Sequence, residues 1–171
     1  MSRAGLARAK RIVVKIGTSL LTPPGDAVGS RRFGSFAKQI AAEIAGRREI
    51  VLVASGAVGL GTKRLGLAQR PRSIPGKQAA AAVGQIDLCR RFERAFAREG
   101  LLVGQMLLDH AGFADRERFL NARRTLAQLL ADGVVPIINE NDTVATEELR
   151  FGDNDQLAAQ VVNTCGADLL I

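Results

Sequence analysis

Two short clusters of acidic and amide side chains are the residues of this sequence whose types and spacing best suit chemistry. The first, Asn139–Asp142, follows a short apolar run, and the second, Asp153–Asp155, opens a segment with the apolar spacing of a helix. Carboxylate and amide groups together provide hydrogen-bond acceptors and donors, which suits a zwitterionic amino acid. Turns also favour Asn, Asp and Gly, but six Asp or Asn residues in two compact clusters exceed what a turn requires. We therefore predict a site for an amino acid.

A lysine near the end of another apolar run suggests an anion site. Lys15 belongs to the run Arg11–Ile16, and a turn follows it that consists of Gly17, Thr18 and Ser19. A buried ammonium group requires a partner, and the backbone N–H groups of such a turn beside an ammonium form a phosphate site. A lysine on an edge strand whose side chain extends to water explains the same residues equally well.

A second glycine-rich turn follows the next apolar run, Glu49–Ala54, and consists of Ser55, Gly56 and Ala57. Its backbone N–H groups are further candidate donors to an anion. Neither turn matches the P-loop pattern GxxxxGK[ST] or the dinucleotide-binding pattern GxGxxG, so each is weak evidence alone. The two turns, Lys15 and the two polar clusters on one sheet edge would place an anion site opposite an amino-acid site.

Apolar runs that alternate with amphipathic segments predict the elements that position these residues. The predicted strands are 11–16, 49–54, 101–108, 134–138 and 169–171. Five helices are predicted: one after Ser30, one after the second turn, one over 77–98, one that begins at Asp115 and one over 153–165. A hairpin over 143–151 would bring the two polar clusters together. This alternation indicates an α/β fold with a parallel sheet and right-handed crossovers. Ligands bind in such folds at the carboxyl ends of the strands.

Length and composition indicate one globular domain. The chain has 171 residues, 47% of them hydrophobic and 24% charged. No apolar run approaches the ~18 residues of a membrane span, and the N-terminus lacks the apolar segment of a signal peptide, so we expect a cytoplasmic protein. The two cysteines, Cys89 and Cys165, belong to no paired motif and suit small core residues, and the sequence predicts no metal site.

The net charge of +7 raises the question of nucleic-acid binding. The arginines are scattered over predicted helix faces, however, and Trp and Tyr are absent, so no platform for stacking bases is visible. We interpret the charge as solvated helix surface that also attracts small polyanions, and we expect no nucleic-acid partner.

Seven segments in order along nearly the whole chain carry a family resemblance: 15–19, 55–57, 77–85, 104–108, 116–123, 138–142 and 152–155. Together they resemble the glutamate kinases of the amino-acid-kinase family. The pair Asn-Glu-Asn-Asp and Gly-Asp-Asn-Asp is the specific part, whereas the lysine turn is shared by related kinases.

The resemblance implies a three-layer α/β sandwich with a mainly parallel central sheet. It implies ATP-dependent phosphorylation of the L-glutamate side-chain carboxylate to L-glutamyl 5-phosphate, which is the first step of proline biosynthesis. ATP and Mg²⁺ are the implied cofactors. L-glutamate is the implied substrate, proline an implied feedback inhibitor, and a homo-oligomer the implied assembly, without a membrane partner.

The same resemblance assigns roles to individual residues. Lys15 would contact the transferred phosphate beside the first turn, Gly17, Thr18 and Ser19, and Asp155 would orient the lysine. The residues implied to bind glutamate are Ser55, Gly56, Ala57, Asn139, Asp142, Asp153 and Asn154. The helix dipole also favours a carboxylate in a first helical turn, so Asp155 can be both a capping charge and a catalytic residue.

Two departures from the family pattern bear on this prediction. Ala54 stands where Ser or Thr is expected, and the nucleotide-binding half, with its second phosphate-contacting lysine, would follow a fifth strand that ends at Ile171. We therefore expect residues 1–171 to be the N-terminal portion of a single amino-acid-kinase domain, inactive alone. The alternatives are a non-catalytic amino-acid-binding module, a related enzyme such as an aspartate kinase, and, more distantly, a basic nucleic-acid-binding module.

Overall fold

A computed structural model describes residue 6 and residues 8–18, 30–144 and 153–171 of the chain. The strands in these ranges are β1 (Arg11–Ile16), β2 (Glu49–Ala54), β3 (Val103–Leu108), β4 (Val135–Glu140) and β5 (Leu169–Leu170). The helices are α1 (Ser30–Ala45), α2 (Ala57–Arg64), α3 (Ile74–Ala97), α4 (His110–Ala114), α5 (Arg116–Ala131) and α6 (Asp153–Cys165).

The strands form one sheet in the order β3-β4-β2-β1-β5, and every neighbouring pair is parallel. This confirms the predicted α/β fold with a parallel sheet. Ile16 pairs with Ala54 and Leu108 pairs with Glu140, so the first four strands end at the same edge of the sheet. The two turns and the first polar cluster follow these strands and therefore lie along that edge.

Two apolar cores flank the sheet, because successive side chains of a strand point to opposite faces. On one face, alternate residues of β1 and β2 pack against α1 and α3, where the rings of Phe33 and Phe92 meet edge to face with centroids 4.9 Å apart. On the other face, Val13, Val51 and Ile138 pack against α5 and α6. Helices on both faces make the three-layer sandwich that the family resemblance implies.

Helices α2 and α3 cross with their backbones in contact. A Cβ atom on Gly84 would lie 1.8 Å from the carbonyl oxygen of Ala57, and a Cβ atom on Gly61 would lie 1.7 Å from that of Ala80. Neither position can hold a side chain without moving the helices apart. Since α2 begins directly after the second turn, this crossing fixes where that turn lies.

Two element boundaries differ from the predictions for identifiable reasons. β4 continues to Glu140, so Asn139 and Glu140 belong to the strand and not to the loop after it. Both are buried and both pair with β3, which outweighs their polar side chains. The start of α3 is Ile74 instead of Lys77, because the Ser73 side chain caps the helix by accepting a hydrogen bond from the Gly76 N–H.

Smaller differences concern β3, α4 and the predicted hairpin. β3 begins at Val103 instead of residue 101, and periodicity did not predict α4, which has five residues. Residues 145–151 of the predicted hairpin lie outside the described residues. Just before them, the Val144 N–H donates a hydrogen bond to the Asn141 carbonyl oxygen, which makes a tight turn after β4.

Candidate active site

Lys15 and Asp155 form an ion pair at the carboxyl end of β1. Lys15 Nζ lies 2.6 Å from Asp155 Oδ1, and the two side chains are 28% and 68% exposed. The Lys15 backbone pairs with Val53 of β2 and donates a hydrogen bond to the Ile171 carbonyl oxygen, so this lysine is not on an edge strand and the edge-strand explanation is wrong. Asp155 lies in the first turn of α6, which also favours its charge. The pair holds an ammonium group where solvent and small ligands can reach it.

The two turns lie side by side next to this ion pair. The Ser55 N–H donates a hydrogen bond of 3.0 Å to the Ile16 carbonyl oxygen and so joins the ends of β1 and β2. A Cβ atom on Gly56 would lie 3.7 Å from Thr18 Cγ2, which shows how close the two turns are. Gly56 has a φ of 114°, which favours glycine, and it directly precedes α2. Ser19 of the first turn lies outside the described residues.

Asn139 is the buried polar group at the end of β4. Only 1% of the residue is exposed, and its Nδ2 donates a hydrogen bond of 2.7 Å to Gln85 Oε1 on α3. Its Oδ1 accepts no hydrogen bond from any residue that the structure describes. Buried acceptors are rarely left in this state, so the Asn139 oxygen is a candidate to meet a donor from a ligand.

The start of α6 presents the second polar cluster. Asp153, Asn154 and Asp155 are its first three residues. Asn154 is half-buried, and its Oδ1 is a second buried acceptor for which the described part of the chain supplies no donor. Two such oxygens within the predicted amino-acid-binding set match the chemistry of an ammonium group, which carries three donors.

A cavity of about 250 Å³ lies beside the first polar cluster. Polar groups from three elements reach it: Gln85 of α3, Gln105 of β3, and Glu140 with Asp142 at the end of β4. Its apolar lining comes from Ala81, Ala82, Ile86 and Leu107. A mainly apolar lining with a few polar groups is typical of small-molecule sites.

The strand order determines how these groups are arranged. Lys15 belongs to β1 and Asn139 to β4, while β2, which Ser55 directly follows, lies between them. With neighbouring strands ~4.8 Å apart, the backbones of β1 and β4 are separated by roughly 10 Å. We call the residues around Lys15 the phosphate-facing half of the predicted site and those around Asn139 and Asp142 its amino-acid half. The Lys15 side chain faces α6 and the Asn139 side chain faces α3, so they lie on opposite faces of the sheet.

Sequence reasoning did not single out Gln85, which accepts the hydrogen bond from Asn139. The residue belongs to a segment that carried the family resemblance, but no local pattern distinguished it from a helix-surface glutamine. Its partner Asn139 is 54 positions away in the chain. The two residues meet because α3 passes the end of β4. The sequence held one indication of this contact, which was a polar residue at a helical position that otherwise packs inward.

Among the residues that the structure describes, no three His, Cys, Asp or Glu side chains are grouped so that they could hold a metal ion. The described helices also include none that is long and apolar enough to cross a membrane. Lys15 places a positive charge at this edge, where it can meet an anion.

Residues 10–171 match the model of the amino acid kinase family, and the chain belongs to that family. Among curated relatives, the glutamate 5-kinases of Burkholderia cenocepacia (strain HI2424), Burkholderia multivorans (strain ATCC 17616 / 249) and Burkholderia mallei (strain SAVP1) are each 53% identical over 169 residues. The match covers 99% of this chain and 45% of each relative, so the chain spans a little under half the length of these relatives.

Proposed function

We propose that the protein phosphorylates the side-chain carboxylate of L-glutamate with ATP and forms L-glutamyl 5-phosphate. The observation that carries the proposal is the Lys15–Asp155 ion pair, which lies on the same sheet edge as the buried acceptors of Asn139 and Asn154. The 53% identity to glutamate 5-kinases supports the choice of glutamate as the substrate. The proposal includes the role in proline biosynthesis that this reaction implies.

The proposed reaction needs positioning and positive charge more than proton transfer. A glutamate side chain has an ordinary pKa of about 4.3, so its carboxylate is already ionised and nucleophilic at neutral pH. The barrier is the approach of this anion to a phosphate group. Lys15, held by Asp155, and the N–H groups of Gly17, Thr18 and Ser19 would stabilise the charge on the phosphoryl group in flight. Mg²⁺ would arrive with ATP as part of the nucleotide substrate.

The amino-acid half would hold glutamate by its ends. Asn139, Asp142 and Asn154 offer acceptors to the α-ammonium group, and Ser55 with the turn of Gly56 and Ala57 offers donors to a carboxylate. Asp153, at the start of α6, would add to the acceptors. This arrangement would leave the side-chain carboxylate directed across β2 toward Lys15.

The chain spans 45% of the length of its relatives, and we propose that it is the N-terminal portion of one amino-acid-kinase domain. Residues outside this chain would then hold the adenine and ribose of ATP. A cytoplasmic location, a homo-oligomeric assembly and feedback inhibition by proline are further parts of the proposal, and they rest on the family resemblance.

The test is turnover by the complete protein in the presence of ATP, Mg²⁺ and either glutamate or aspartate, with the acyl phosphate trapped by hydroxylamine. We expect glutamate-dependent ADP release and hydroxamate formation, with much slower turnover of aspartate. ADP release without hydroxamate would contradict carboxylate phosphorylation, and preference for aspartate would favour the related kinase. Saturable glutamate binding without turnover would favour a non-catalytic amino-acid-binding module.

Lys15→Met distinguishes phosphoryl transfer from glutamate binding. Because the lysine charge matters most when the phosphoryl group lies between donor and acceptor, we expect kcat to collapse while calorimetric glutamate binding stays nearly unchanged. Arg90→Met, which removes a cation from the exposed surface of α3, is the matched control. Wild-type kcat in Lys15→Met excludes the proposed role of the lysine.

A further inference from the structure

The orientation of the Asn139 amide decides what this part of the site offers to a ligand. A side-chain amide is a donor at its nitrogen and an acceptor at its oxygen. Asn139 Nδ2 is occupied by Gln85 Oε1 at 2.7 Å, and Asn139 Oδ1 is buried with no donor among the described residues. In the reverse orientation, the site would present an N–H donor to the same place.

Gln85 has a second hydrogen-bond partner on α3. Its Nε2 donates a hydrogen bond of 3.4 Å to Cys89 Sγ, one helical turn further along α3. Burial raises the pKa of the Cys89 thiol, which the hydrogen bond from Gln85 partly offsets. With its nitrogen directed to Cys89, Gln85 presents Oε1 to Asn139. A chain of hydrogen bonds with one direction thus runs from Asn139 to Cys89.

The surroundings agree with an acceptor at Asn139 and not with a donor. Gln85, which accepts the hydrogen bond from Asn139, lines the 250 Å³ cavity together with the acidic residues Glu140 and Asp142. An N–H donor beside these groups would suit a carboxylate ligand that they repel. The Asn139 oxygen, unpaired within the described part of the chain, and the acidic residues near its partner Gln85 both suit a cationic ligand group such as an ammonium.

We propose that Gln85 is a positioning residue of the amino-acid site, which fixes the Asn139 amide so that its oxygen receives the α-ammonium group of the substrate. This inference rests on the proposed function. Gln85 acts through Asn139, so its removal affects capture of the amino acid and not the transfer of the phosphoryl group.

The experiment compares Gln85→Met with Gln85→Glu in the complete protein. Methionine has a similar length but offers Asn139 no comparable acceptor, whereas glutamate keeps an oxygen within reach of Asn139 Nδ2. For Gln85→Met, we expect the KM for glutamate to rise on the order of tenfold, while the KM for ATP and kcat at saturating glutamate change little. Gln85→Glu restores the glutamate KM to near the wild-type value.

The control is Cys89→Ala, which removes the other partner of Gln85 but leaves its oxygen beside Asn139. We expect a glutamate KM close to that of the wild type. An unchanged KM in Gln85→Met, or an equal rise in Gln85→Glu or Cys89→Ala, overturns the positioning role.

If Gln85→Met does not fold, Gln85→Lys gives the same comparison, because lysine offers donors in place of the acceptor. A wild-type glutamate KM in that variant also overturns the inference. Failure of the unaltered protein to phosphorylate glutamate would instead refute the proposed function, so the two failures are distinguishable.

Discussion

Gly84→Ala tests whether the backbone contact between α2 and α3 holds the second turn in place. The added Cβ atom would lie 1.8 Å from the Ala57 carbonyl oxygen and 2.5 Å from the Gly61 nitrogen. Favourable contacts need about 3.5 Å, so the helices must separate by an amount on the order of 1.5 Å. Both neighbours are backbone atoms, which cannot rotate away as a side chain can.

The magnitude follows from two opposing terms. Overpacking of a well-packed contact costs ~1–3 kcal/mol, and the higher helix propensity of alanine returns up to ~1 kcal/mol. Because the contact is with backbone, we expect a net loss of about 2 kcal/mol, which is a fall in Tm of roughly 4–8 °C for a domain of this size. The glutamate KM should rise as well, because Ala57 directly follows the Ser55–Gly56 turn.

Gly34→Ala is the matched control for this prediction. Gly34 is also inside a helix, α1, but a Cβ atom there would have no neighbour within 4 Å. We expect this variant to be more stable than the wild type by about 0.5–1 kcal/mol, through helix propensity alone. Calorimetric unfolding of both variants of the complete protein tests the reasoning, and a Gly84→Ala variant as stable as Gly34→Ala would refute it.

Two further predictions concern the amino-acid half of the site and the pH dependence of stability. Asp142→Ala and Asn154→Ala should each raise the KM for glutamate by roughly 30- to 150-fold and leave the KM for ATP nearly unchanged, because a hydrogen bond to a charged ammonium is worth ~2–3 kcal/mol. Equal changes in both KM values would contradict the assignment. Asp168 accepts hydrogen bonds from the two backbone N–H groups at and before the start of β1, and these lower its pKa from 3.8. The folded state then binds fewer protons than the unfolded state, so the contribution of Asp168 to the free energy of unfolding is present above pH 3.8 and is lost as the pH falls through the lowered pKa. Asp168→Asn should therefore be less stable than the wild type at neutral pH, with a difference that shrinks in acid; a difference independent of pH would contradict this.

The regular elements could be predicted from sequence because their signals are local. The apolar runs of β1 and β2 and the start and end of α6 have the predicted bounds, since burial of a short apolar run between turn residues leaves little freedom. The alanine-rich run of α3 buries Ala80 and Ala81 against α2. In each case the residues that determine the element lie within it.

What could not be predicted depends on contacts between distant residues. Asn139 and Glu140 have the local character of a loop, yet they continue β4 because β3 pairs with both of them. The start of α3 was misplaced because Pro75 and Gly76 resemble a loop, whereas proline suits a first helical turn that Ser73 caps. The Gln85–Asn139 hydrogen bond has no counterpart in any local pattern, because it depends on how α3 crosses the sheet.

The strand order bears directly on the length of substrate that the proposed site can use. An amino acid held by its ammonium group at the end of β4 must direct its side chain past Ser55, at the end of β2, to approach Lys15 on β1. The backbones of β4 and β1 are roughly 10 Å apart, and the phosphoryl group in transfer would occupy part of the space between the groups that they carry. A side chain one methylene shorter leaves its carboxylate farther from the lysine, although the contacts of its ammonium group are unchanged. Selection of glutamate over aspartate would then follow from the spacing of the strands, and the shorter substrate would lose kcat more than it loses binding.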